Sequence, residues 1–136
     1  MTPDAMADLH ARCFSTPRPW SAPEFAAIIL DPVCFVVVEP HGFLIGRTVT
    51  GEAEVLTLAV DPLTRRQGTG ALLVDGFLAQ ARARGATSAF LEVSALNHPA
   101  ICLYLRAGFS KAGRRKGYYV QPDAAAQDAL VLARAL

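Results

Sequence analysis

Residues 54–70 read Glu54-Val55-Leu56-Thr57-Leu58-Ala59-Val60-Asp61-Pro62-Leu63-Thr64-Arg65-Arg66-Gln67-Gly68-Thr69-Gly70. The first seven are mostly apolar or β-branched and stop at Asp61-Pro62, which marks a strand. From Gly68 to Arg84, Leu73, Phe77 and Ala81 fall on one stripe with Val74 and Leu78 beside it, and Gly85 supplies a stop. That spacing predicts a long amphipathic helix. Strand character returns at Ala89 to Val93. The unit is β-loop-α-β, and its two strands should be parallel and joined by a right-handed crossover. This places the chain in an α/β or α+β class.

Working outward, Met6, Leu9, Cys13 and Phe14 give a first helix from Pro3 to Phe14, broken by Ser15-Thr16-Pro17. Ser21 with Glu24 three residues later forms a capping box for a second helix that carries Phe25, Ile28 and Ile29 and ends near Asp31-Pro32. Val33 to Val38 and Phe43 to Thr50, separated by His41-Gly42, predict an antiparallel hairpin. A short helix is expected from Asn97 to Ala107, ended by Gly108. Two late strands are expected, from Phe109 onward and from Ala129 to Leu132, around a polar stretch Arg114 to Gln127.

The 136 residues suit one domain, 1–136, with room for a two-sided sheet but not for a second folded module. Thirteen basic and twelve acidic residues leave a net charge of +1, so no broad field draws the chain to nucleic acid or to an anionic membrane. Any anion site must be local. Cys13, Cys34 and Cys102 are odd in number and widely spaced, which fits neither a disulfide framework nor a zinc site, and they read as reduced packing residues. His10, His41 and His98 are scattered, and no metal centre is expected. The amino terminus lacks a basic segment followed by an apolar run, and no window reaches the ~18 consecutive apolar residues of a membrane span. A cytoplasmic location is the expectation.

The loop between strand and helix carries the chemistry. A helix N-terminus presents unpaired N–H groups and the positive end of the peptide dipoles, a natural receptor for phosphate oxygen. Gly68 and Gly70 allow close approach to that backbone, and Arg65 and Arg66 add guanidinium charge suited to phosphate. Taken alone, the same residues also fit a tight turn with two solvated arginines. A phosphate-binding loop of the Gly-Lys-Ser/Thr kind is excluded because Gly70 is followed by Ala71-Leu72, and a dinucleotide fingerprint because Leu73 stands where its third glycine or alanine belongs.

The pattern Arg65-x-x-Gly68-x-Gly70 resembles the acyl-CoA loop of the GNAT superfamily of N-acetyltransferases. Nearly the whole chain shares the likeness, through Pro19-Trp20-Ser21 with Phe25, Ala59-Val60-Asp61-Pro62, Leu91-Glu92-Val93, Asn97 with Ala100-Ile101, Leu103-Tyr104, Gly108-Phe109 and Tyr118-Tyr119. Pro-Trp-Ser, Leu-Glu-Val and Tyr-Tyr resemble in particular the bacterial RimI-type branch, which acetylates an alanine N-terminus of a ribosomal protein. The resemblance implies the GNAT fold, a mixed central sheet with helices on both faces. Relatives open with a strand before the first helix, and here that edge strand is expected to be missing. The resemblance also implies acetyl-CoA as cosubstrate, with Leu58, Ala59 and Val60 along the acyl and pantetheine arm, Arg65, Arg66, Gln67, Gly68, Thr69, Gly70 and Ala71 around the pyrophosphate, and Asn97 on the cofactor. Ser94 stands where close relatives often place arginine, at the border of the acceptor groove.

An amine attacks a thioester only when neutral, and an α-amino group is mostly protonated at neutral pH, so a general base helps. Glu92, at the end of the second parallel strand, is the candidate that the resemblance favours over a plain surface glutamate. The leaving thiolate needs a proton, and Tyr104, seven residues after Asn97, is the candidate acid; a packed core tyrosine is the alternative. Tyr118 and Tyr119, after Arg114-Arg115-Lys116, resemble the segment bordering the acceptor peptide, and fit equally as ordinary strand aromatics. Trp20 reads as a packing anchor and Cys102 as buried in its helix. With no cysteine beside a histidine, direct transfer in a ternary complex is expected. A lysine side chain or small-molecule amine is the alternative acceptor, and a non-catalytic acyl-CoA-binding module the alternative class.

Overall fold

The structure, a computed structural model, describes residues 1–121 and 124–136. Its first element is α1 (Pro3–Cys13), capped by Thr2. Next comes α2 (Ala22–Leu30), whose Ser21–Glu24 capping box is present in both directions. The strands β1 (Cys34–Glu39), β2 (Gly42–Val49) and β3 (Glu52–Val60) form an antiparallel meander. A 3-10 turn, Pro62–Thr64, leads to α3 (Thr69–Ala83), followed by β4 (Ser88–Ser94), α4 (His98–Arg106), β5 (Ser110–Gln121) and β6 (Ala124–Ala135). The described strands form one sheet in the order β1-β2-β3-β4-β6-β5, in which β3 and β4 run parallel and every other neighbouring pair antiparallel. No described helix is long and apolar enough to cross a membrane.

Helices cover both faces, and strand alternation separates the two cores. Leu44, Ala53, Val55, Leu91 and Val93 face α3 and α4 and pack with Leu73, Val74, Phe77, Tyr104 and Phe109. Phe43, Ile45 and Ala59 face the other way, onto Met6, Leu9 and Phe25 from α1 and α2. Phe25, Phe43 and Phe77 are fully buried, and truncating any of them to alanine costs about 3–5 kcal/mol.

Two features of the sheet shape the site. Between Ile45 and Gly46 the β2–β3 register slips, so that Ile45 faces Thr57 and Gly46 faces Val55, leaving Leu56 as an extra residue in β3. A bulge of this kind bends its strand and re-aims the side chains after it. The parallel pairing of β3 with β4 runs only from Glu52/Ser88 to Val55/Leu91 and stops at that bulge, although β3 continues to Val60 and β4 to Ser94. The sheet is therefore split at its centre.

The carboxy-terminal hairpin corrects one expectation. The polar stretch Arg114 to Gln127 is not a connector between short strands: apart from Pro122 and Asp123, which lie outside the described residues, it belongs to β5 and β6. Cross-strand pairing carries it despite its weak apolar pattern, and Asp128 holds the irregular register by accepting from Gly117 N (2.8 Å) and Arg114 Nε (2.7 Å).

Candidate functional site

At the carboxyl end of β3, Asp61 accepts from Leu63 N at 3.0 Å and pairs with Arg12 of α1 at 3.2 Å, contacts that hold its carboxyl below the usual range. They also fix the turn that feeds the glycine loop. Arg65 Nε lies 3.4 Å from Val60 O, and Arg65, Arg66 and Gln67 are all exposed. Arg66 has φ of 67° and Gly68, the N-cap of α3, φ of 82°. No side chain caps α3 and its first turn holds no acid, so the N–H groups of that turn face outward unpaired. A Cβ on Gly68 would meet nothing within 4 Å, whereas one on Gly70 would lie 3.0 Å from Leu103 of α4. Gly68 therefore opens the loop to a ligand, and Gly70 lets α3 and α4 pack closely.

The split between β3 and β4 holds a cavity of about 110 Å³. Its walls are Val55 to Leu58 of β3 and Leu91 to Ser94 of β4, with Asn97, Ala100 and Tyr104 from α4, Phe14, Thr16 and Pro17 from the α1–α2 connection, and Tyr119 of β5. Leu91 and Val93 point to the α3/α4 core, so Glu92 between them points to the opposite face. The cavity thus runs through the sheet, with Tyr104 on the α3/α4 side and Glu92 on the α1/α2 side. On the β4 side the backbone of 56–60 has no ladder partner, the kind of strand edge to which an extended ligand can add.

Tyr104 is 5% exposed, stacks edge-on against Phe109 at 5.8 Å, and has no hydrogen-bond partner for its hydroxyl among the described residues. Burial pushes its pKa well above the ordinary phenol value, so the hydroxyl keeps its proton. Glu92 is one-fifth exposed and pairs with Arg115 Nε at 3.2 Å. Tyr119 is half-buried, and burial, then the Glu92 carboxylate and Tyr118, raise its pKa to about 12. Of the paired tyrosines, Tyr119 reaches the cavity; Tyr118 is 49% exposed, away from the cavity wall, with Arg115 over its ring at 5.3 Å.

Asn97 does not belong to the body of its helix but is the N-cap of α4, where Oδ1 accepts from Ala100 N at 3.3 Å and the amide N–H groups remain available to the cavity. Ser94 is buried and donates to Gln127 Oε1 at 2.7 Å. Cys102, expected to be buried, is exposed, because α4 turns Tyr104 to the core and leaves Cys102 on its outer side. Cys13 is partly buried and donates to Val60 O at 3.3 Å, and no cysteine lines this cavity. Trp20 packs on Phe25 as an anchor.

His10, Thr57 and the bulge at Leu56 are parts of the site that the sequence did not lead one to expect. His10 is 1% exposed; its Nε2 lies 2.8 Å from Thr57 Oγ1, and its Nδ1 accepts from Trp20 N at 3.0 Å. Thr57 was the one visible signal, a hydroxyl within an apolar strand that needs a partner once buried.

Residues 4–109 match the family described as acetyltransferase (GNAT). The chain belongs to the GNAT acetyltransferase family. It is 33% identical over 136 residues to the [ribosomal protein bS18]-alanine N-acetyltransferase of Escherichia coli K12, covering 97% of this chain and 91% of the relative. It is 30% identical to the putative enzyme of the same description from Bacillus subtilis, over 95% of this chain and 86% of that protein. The crystal structure of the ribosomal-protein-S18-alanine N-acetyltransferase from Escherichia coli superposes with a TM-score of 0.85 at 30% identity, over 98% of this chain and 86% of that one. Membership in this GNAT family makes the chain an N-acetyltransferase and confirms the mixed-sheet fold expected from the sequence.

Proposed function

We propose that this acetyltransferase moves the acetyl group of acetyl-CoA to the N-terminal amine of a protein beginning with alanine, a ribosomal protein being the natural acceptor. The observation that carries the reading is the cavity through the split sheet, which is walled by Asn97 and Tyr104 of the α4 region on one face and by Glu92 on the other. The acceptor assignment draws further support from the alanine N-acetyltransferases to which the chain is similar.

The chain's residues fit the cosubstrate. The open N–H groups of residues 69–71, Gly68 and the exposed side chains of Arg65, Arg66 and Gln67 suit a pyrophosphate. The unpaired edge of Leu58, Ala59 and Val60 suits the amide-bearing arm, and the Asn97 amide adds a donor where that arm enters the cavity. Acetyl-CoA supplies the thioester carbon that is attacked and the thiolate that leaves.

Glu92 takes the proton from the acceptor ammonium, directly or through a water. Its partner Arg115 is more than half exposed to water, which weakens the pairing, so the carboxylate can exchange that partner for the substrate. Tyr104 holds its hydroxyl proton on the opposite face and donates to the departing sulfur, and the second proton that the nitrogen sheds as the amide forms returns to the phenolate. A phenol with a raised pKa is a weak acid in water, but a thiolate formed in the same apolar wall is a correspondingly stronger base. Tyr119 borders the acceptor, and Tyr118 flanks its route from outside. Because the two faces hold the two substrates at once, transfer is direct.

Thiol release from acetyl-CoA across short peptides differing in their first residue, together with lysine-only peptides and small amines, tests the reading. Preference for an alanine N-terminus is expected; faster turnover of lysine or small amines would overturn it.

A further inference from the structure

The cavity has a polar group that this scheme leaves unused. His10 is enclosed by the rings of Phe14, Trp20, Phe25 and Phe43, with centroids 4.5–6.4 Å away. The Trp20 amide can only donate, so His10 Nδ1 must hold a lone pair. Burial, partly opposed by Glu24, lowers the imidazole pKa to about 4, which keeps the ring neutral. The ring proton is therefore on Nε2 and is donated to Thr57 Oγ1.

A threonine hydroxyl offers one proton and two lone pairs. With a lone pair engaged by His10, the Thr57 proton is left to be given away, and no described residue accepts it. Thr57 lines the cavity, and the bulge at Leu56 turns it to the α1/α2 face, the face to which Glu92 also points. A donor there has no use for an ammonium, and on a neutral amine it would block the attacking lone pair. Of the groups an acceptor brings, what it can serve is an oxygen carried next to the amine.

We propose that Thr57 is a specificity-determining residue, its hydroxyl donating to the carbonyl oxygen of the acceptor's first residue, and that His10 is the positioning residue that holds this orientation. The proposal rests on the α-amine reading above and deepens it. An α-amine carries a carbonyl on its own Cα, whereas a lysine ε-amine or a simple alkylamine has only methylenes there. The hydroxyl thus selects chain termini over side chains.

The test compares an alanine-first peptide with its analogue in which an (E)-alkene replaces the first peptide bond, both with saturating acetyl-CoA. Wild type should use the peptide about ten-fold better or more, as expected for a buried donor that loses its acceptor. Thr57→Val should lose that preference, through a raised acceptor KM and with acetyl-CoA KM unchanged, while Thr57→Ser keeps it. Should Thr57→Val not fold, Thr57→Ala takes its place. Equal use of both acceptors by wild type, or a preference retained without the hydroxyl, would overturn the proposal. Wild type that turns over neither would overturn the α-amine reading and the proposal with it, a failure distinct from turnover without discrimination.

Discussion

Acidification should remove stability that His10 supplies, in a window set by its surroundings. Its folded pKa is about 4 against 6.5 for an ordinary imidazole, so between those values the unfolded chain binds the extra proton and the folded one does not. Stability is fully present above the unfolded value and falls as the pH drops toward the folded one. The full difference is on the order of 3 kcal/mol, and about 2 kcal/mol is already gone near pH 5. Urea denaturation should then show a midpoint lower by about 1 M near pH 5 than near pH 8, for a slope of about 2 kcal/mol/M. A His10→Gln variant should lack this step. Asp61 and Asp128, whose carboxyls are held below their usual range by backbone N–H groups and arginines, lose their contribution only at more acid pH. Nitrogen chemical shifts of the His10 ring report the tautomer directly: a proton on Nε2 and no titration near neutrality are expected. A ring titrating near 6.5, or protonated on Nδ1, would refute the hydrogen-bond assignment and the orientation of Thr57 with it.

Tyr104→Phe should lower kcat by about 100-fold while leaving acetyl-CoA affinity nearly unchanged, measured by thiol release and by equilibrium titration. Glu92→Gln should cost about 100-fold or more in kcat/KM for the peptide near pH 7, with the deficit shrinking as rising pH deprotonates the amine without help. Gly68→Ala meets no neighbour but must hold φ of 82°, so it should cost about 1–2 kcal/mol and raise acetyl-CoA KM with peptide KM unchanged.

The β3–α3–β4 unit was legible in the sequence because its signals are local: a capping glycine, a helical stripe and a strand stopped by Asp61-Pro62. The capping box of α2 and the β1–β2 hairpin were readable for the same reason. The length of β5 and β6 was not, since the ladder between them rather than their composition makes residues 114–121 and 124–127 strand. Glu92 and Tyr104 could be named as candidates, but their placement on opposite faces of one cavity depends on where β3 and β4 part. The His10–Thr57 contact spans 47 residues, and the bulge that aims Thr57 leaves no turn residue to mark it.

The most direct measurement of the central claim uses one peptide that begins with alanine and carries an internal lysine, incubated with the protein and acetyl-CoA and sequenced by fragment-ion mass spectrometry. A single acetyl group on the α-nitrogen, absent when Glu92→Gln replaces the wild type over the same interval, is the predicted result. Acetyl on the lysine side chain, or no acetyl on either nitrogen, would contradict the account.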